Sequence, residues 1–169
     1  MLKTWIEAQP RLVEVAAGRA PADMVIRGGI WVAVHSGEAL PGHDIAIADG
    51  RIACVVTDAS ANIGPATQVI EAAGRYMIPG LIDAHMHIES GMLTPARFAE
   101  AVIPHGTTAL FHDPHEIANV MGLDGVRLMR DESLIQPITM LTQMPSCAPS
   151  APGLETTGHP ITAGEVAQA

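Results

Sequence analysis

A chain of 169 residues, 48% apolar and 16% charged, has the composition of a folded globular protein and not of a disordered one. Nine Lys and Arg against 18 Asp and Glu leave a formal charge of −9, and the basic residues are scattered from Lys3 to Arg130, which argues against a nucleic-acid-binding surface. No long apolar run occurs, and Glu7 and Pro10 interrupt the stretch a signal peptide needs, so neither a membrane span nor export is expected and a cytoplasmic protein is. Cys54 and Cys147 stand far apart with no C-x-x-C partner, the pattern of reduced thiols in that compartment.

Residues 1–22 mix Leu2, Ile6, Leu12, Val13 and Val15 with charges and two prolines, which suggests one or two short helices and then a linker at Gly18-Arg19-Ala20-Pro21. From Asp23 short β-branched runs begin, Met24 to Ile26, Ile30 to Val34 and Ile45 to Ile47, each closed by Gly, Pro or Asp. Asp49-Gly50 separates two alternating segments and supplies the positive φ angles of a type I′ turn, so a β-hairpin is expected there. Residues 23–78 thus read as a small, mostly antiparallel β domain. After Pro79-Gly80 the pattern becomes strand, helix, strand. Leu81 to His87 is a strand, Thr94-Pro95 opens a helix as N-cap and first helical residue, and Thr107 to His112 is a second strand. Glu116 to Ser133 reads as helix interrupted near Gly122, Pro137 to Met144 as a third strand, and Thr162 opens a last helix. Three strand-to-helix units in series make residues 79–169 α/β, with a parallel sheet or barrel. The Pro-rich stretch Pro145 to Pro160 follows the third strand, where active-site loops of α/β enzymes lie.

Asp83-Ala84-His85-Met86-His87-Ile88-Glu89 is the strongest chemical constellation. On a regular strand Asp83, His85, His87 and Glu89 project to one side, and two imidazoles on one face make half of a divalent-metal site. In a chain with eight His the pair alone arises readily by chance; polar residues along one face of an otherwise apolar strand are what argue for a ligand. His112-Asp113-Pro114-His115-Glu116 closes the second strand and reads either as a loop with Asp113 as N-cap or as more ligands at the same sheet end. Cys147 has no base placed beside it by any motif and reads as an inert thiol; His35 and His43 read as solvated, and His105 as a helix-end residue. No phosphate-binding loop or dinucleotide fingerprint is present. His87-Ile88-Glu89 matches the H-x-E of the zinc nucleobase deaminases, but two distant cysteines cannot supply their P-C-x-x-C partner.

Pro79-Gly80-Leu81-Ile82-Asp83-Ala84-His85-Met86-His87 resembles the first-strand motif of the amidohydrolase superfamily, metal-dependent hydrolases on a (β/α)8 TIM barrel with an accessory β domain. The runs IESGMLTPARFAEAVIPHGTT, DPHEIANVMG and PSCAPSAPGLETTG resemble, more specifically, the bacterial adenine deaminases, which hydrolyse adenine to hypoxanthine and ammonia. His112 departs from that family, where a small residue is expected. The resemblance implies His85 and His87 as metal ligands. It makes Glu89, Asp113, His115 and Glu116 supporting groups behind the ligands, ligands of an auxiliary metal, or purine contacts. It also implies a binuclear centre of manganese or iron, with zinc as the other candidate, and a homo-oligomer acting on adenine. In such chemistry a metal lowers the pKa of bound water from about 15.7 toward 7 for attack on C6, and a carboxylate passes the proton to the leaving amine.

A whole barrel takes about 250 residues, and the roughly 90 residues from Pro79 onward hold only about three βα units. The chain is therefore expected to be the N-terminal portion of such an enzyme, inactive alone, with its general base beyond Ala169. An exposed sheet edge and apolar face are expected with it. Two alternatives stand beside this reading: another amidohydrolase, dihydropyrimidinase-like or a deacetylase, and a non-catalytic remnant or interaction module.

Overall fold

Local sequence rules account for most of the elements in the computed structural model, which describes residues 3–146, 148–149, 151, 153 and 158–169. The chain divides into two compact units, Met1–Pro79 and Gly80–Ala169.

The first unit opens with one helix, α1 (Trp5–Ala16), which runs through Pro10 without interruption. Its start is a capping box: the Thr4 hydroxyl accepts from the Glu7 N–H while the Glu7 carboxylate accepts from the Thr4 N–H, so two free donors of the first turn are satisfied. Five strands follow: β1 (Met24–Ala33), β2 (Glu38–Ala48), β3 (Arg51–Val56), β4 (Gln68–Glu71) and β5 (Tyr76–Met77). Asp49 and Gly50 have φ of 50° and 70°, the left-handed pair a two-residue hairpin turn requires, and β2 and β3 pair antiparallel around them. β1 also pairs antiparallel with β2, whereas β4 and β5 both run parallel to β1, so the sheet is mixed. Period-two alternation divides its interior. Val25, Ala46 and Ala48 face Ala8, Leu12 and Val15 of α1, while Ile26, Ile45 and Ile47 pack with Ala72 and Met77. The buried Asp44 carboxylate accepts from the Gly28 and Ala59 N–H groups at 2.8 and 2.9 Å, tying β1 and a surface loop to β2.

Arg11 bridges Asp23 and Asp49, and Lys3 adds a second cation to Asp49. The hydrogen bond from Arg11 holds the Asp23 carboxyl below its ordinary range, and that from Lys3 does the same for Asp49. Carboxyls depressed in the fold stabilise it above their unfolded pKa of about 3.9, and this contribution disappears as pH falls through the lower folded values. Between pH 5 and pH 3 the urea midpoint should therefore drop further in the wild type than in Arg11→Gln. Equal drops in the two proteins would remove the cluster from the acid response.

In the second unit β6 (Leu81–Met86), β7 (Thr107–His112) and β8 (Thr139–Thr142) form a parallel sheet in sequence order. Between them lie α2 (Pro95–Val102), α3 (His115–Met121) and α4 (Leu123–Ser133), and α5 (Ala163–Val166) follows. Thr94 caps α2 and Pro95 occupies its first turn; a 3-10 turn, Ile103–His105, and Gly106 at φ 90° then end it. Gly122 breaks the next helix in two: with φ 61° and ψ −141° it adopts a conformation closed to L side chains, and an added Cβ would lie 2.3 Å from the His159 ring. Phe98, Ala99 and Met129 of the helices pack on Leu110 and Met140, whereas Ile82, Phe111 and Leu141 point to the other, open face of the sheet. Among the described residues no helix is long and apolar enough to cross a membrane.

Candidate metal centre

Met86, His112 and Thr142 pair in one row across the carboxyl end of the parallel sheet. His87 and Asp113 are the first residues beyond that row, where open α/β sheets place their ligands. The backbone holds this edge together past the last paired residues, with Asp113 N–H donating to Met86 O and Gln143 N–H to His112 O, both at 2.8 Å.

His85, His87 and Asp113 converge, each offering a ligand atom within 4.8 Å of the other two. The Nε2 atoms of His85 and His87 face each other at 3.0 Å. Two nitrogens bound at about 2.1 Å to one ion stand about this far apart. Among the described residues, six buried side-chain polar atoms lack a hydrogen-bond partner, and all lie between His87 and Asn119: His87 Nδ1, Glu89 Oε2, His112 Nδ1, Asp113 Oδ1, Glu116 Oε2 and Asn119 Oδ1. Among these, Asp113 Oδ1 belongs to the carboxylate that converges with the two imidazoles, and a buried oxygen left unpaired there carries a cost that a cation would relieve. The donor set of imidazole and carboxylate suits zinc, manganese or iron.

Regular alternation does not describe the motif. Three steps along β6, from Asp83 to Met86, oppose two along β7, and Asp83 Oδ1 accepts from the His85 N–H at 3.1 Å. Asp83 thus shapes the irregular turn of the strand beneath the two histidines and is not in the ligand group. Asp113 is not a helix cap either; Pro114 takes that position without a side-chain bond, which leaves the Asp113 carboxylate for the cluster. Glu89 accepts from the Ile117 N–H at 3.3 Å, and burial raises its carboxyl above the ordinary range. Burial also pushes Glu116 upward, but the Ser90 hydroxyl that donates to it and the adjacent His87 outweigh this and hold it low. His115 reaches the same region, its ring centroid 6.3 Å from that of His87.

His112 stands apart from the ligand-type residues around it. It is fully buried on the helix-facing side of the sheet, its Nε2 2.8 Å from Thr142 Oγ1 and 3.1 Å from Ser133 Oγ, and burial lowers its pKa so that the neutral ring is favoured. Cys147 lies outside the described residues. Ser90, in the 3-10 turn Glu89–Gly91, donates its hydroxyl to Glu116 and carries no advance signal of a role here.

The family model described as the amidohydrolase family matches residues 76–168. Over all 169 residues the chain is 79% identical to an adenine deaminase of Paracoccus denitrificans, and over 163 residues it is 55% identical to one of Moorella thermoacetica. It spans 28% and 27% of those two relatives, respectively, and 100% and 96% of itself is covered. Among solved structures, an atrazine chlorohydrolase of Arthrobacter aurescens TC1, complexed with zinc, superposes with a TM-score of 0.56 at 17% identity, covering 72% of this chain and 35% of its own. A molinate hydrolase gives 0.53 at 20% identity, with 72% and 30% covered. At such identities the superpositions speak for the fold.

Proposed function

The chain belongs to the amidohydrolase family, whose members imply a divalent metal, and we propose that it serves the hydrolytic deamination of adenine to hypoxanthine and ammonia. Identity of 79% across its whole length to a protein named for that reaction carries the substrate assignment. We read β6, β7 and β8 with their helices as the first three units of a (β/α)8 barrel, the preceding β unit as its accessory domain, and the cytoplasm as its location.

In this reading His85 and His87 hold one ion of a binuclear manganese, iron or zinc centre through Nε2, and Asp113 supplies an adjacent carboxylate oxygen. Bound there, a divalent metal supplies an acidified water as nucleophile at neutral pH. His85 is exposed, so one side of the cluster is open to a small planar substrate, while His87 and Asp113 are half-buried and keep the other side from bulk water. Glu89, Glu116 and His115 surround the ligands as supporting or purine-contacting groups. No carboxylate of this chain is assigned the proton transfer to the leaving ammonia.

The protein carrying this chain, loaded with Mn2+ or Fe2+, should convert adenine to hypoxanthine with equimolar release of ammonia, followed by the change in ultraviolet absorbance. Turnover of a cyclic amide or an N-acetyl substrate with adenine untouched would keep the family and overturn the substrate.

A further inference from the structure

His87 presents one ring nitrogen to His85 and the other to a carboxylate. Its Nε2 is 3.0 Å from His85 Nε2, and its Nδ1 is 3.3 Å from Glu116 Oε2. Both Nδ1 and Oε2 are buried and otherwise without a hydrogen-bond partner, so each is the complement the other lacks. A neutral imidazole that binds through Nε2 carries its proton on Nδ1, and that proton needs an acceptor. The other oxygen of Glu116 is occupied: the Ser90 hydroxyl donates to Oε1 in a short contact. Ser90 sits in the 3-10 turn that follows His87, and the same turn is tied to α3 a second time, where the Ile117 N–H donates to Glu89 Oε1. The first turn of α3 thereby grips the segment bearing His87 through two neighbouring residues.

We propose that Glu116, steadied by Ser90, is the positioning partner of His87: it accepts the Nδ1 proton, fixes the tautomer and ring plane, and commits Nε2 to the metal. The proposal rests on the reading of His85 and His87 as ligands. A carboxylate behind a ligating histidine raises its basicity, and removing such a partner lowers metal affinity about 10–100-fold.

Titration of the full chain with Co2+, followed by its visible absorption, separates the possibilities. Glu116→Ala should bind the same number of ions with a Kd about 10–100-fold higher. Glu116→Gln, which keeps the side-chain shape, should fall in the same direction and serves should the alanine variant fail to fold. Ser90→Ala should weaken binding less, and Ser90→Thr, which retains the hydroxyl, should restore it. An unchanged Kd in both Glu116 variants would overturn the proposal. So would the loss of a bound ion, since Glu116 would then be a ligand itself, and so would equal effects of Ser90→Ala and Ser90→Thr. If His87→Ala leaves Co2+ binding intact, the ligand reading fails instead.

Discussion

On the proposed function, replacing His85 and His87 together by alanine in the protein carrying this chain is expected to remove the ion they hold and to lower adenine turnover by several orders of magnitude. The size of the effect follows from the chemistry. Without the ion the attacking water has a pKa of about 15.7 in place of one near 7, so hydroxide equivalents at neutral pH all but vanish. The fold should survive the change, because His85 is exposed and His87 lies just past the end of β6, with its imidazole outside the cluster of Ile88, Phe98, Ala99, Leu110, Met129 and Met140. Metal content by elemental analysis, rate, and far-ultraviolet circular dichroism should be read on the same preparation. Full metal content in the double variant would show that the ion is held elsewhere.

The second large effect is on stability. His112→Ala should destabilise the protein by about 3–5 kcal/mol, which combines the cavity left by a large buried side chain with the loss of polar partners for Ser133 and Thr142. Those two hydroxyls come from α4 and β8, so the imidazole joins β7 to the adjacent strand and to a helix packed on the sheet. Equilibrium urea unfolding measures the difference. A change below about 1 kcal/mol would mean that the ring contributes little, neither as packing nor through its hydrogen bonds.

His112 also marks a limit of what the sequence conveys. It stands beside Asp113, His115 and Glu116 and has the chemistry of a ligand, yet it alternates in phase with Leu110 and faces the helices. Alternation along Thr107 to His112 carries that phase; the hydroxyl partners come from residues 21 and 30 positions later, and nothing local announces them. The turn at Asp49-Gly50 and the break at Gly122 were legible because each depends on a backbone conformation that few residues accept, and the cap at Thr94-Pro95 because a hydroxyl acceptor and a proline at the first helical position mark a helix start. The parallel pairing of β4 and β5 with β1 was not, since it joins segments more than 40 residues apart. Nor was the irregular stretch of β6, where the Asp83 carboxylate accepts from the His85 N–H and the regular alternation that would put Asp83 beside the two histidines is lost. Asp113 held two readings in the sequence, and the structure separates them by giving the helix-cap position to Pro114.

X-ray absorption at the edge of Co2+ or Zn2+ bound to the chain tests the central claim most directly, because it reports the ligands and not the consequences of losing them. The predicted spectrum contains imidazole scattering from two histidines with nitrogen at about 2.0–2.1 Å and a carboxylate oxygen at about 2.0–2.2 Å, and it loses the imidazole component in the His85→Ala, His87→Ala double variant. A first sphere of oxygen alone, or imidazole scattering unchanged by the double substitution, would contradict the assignment of this sheet edge as the metal centre.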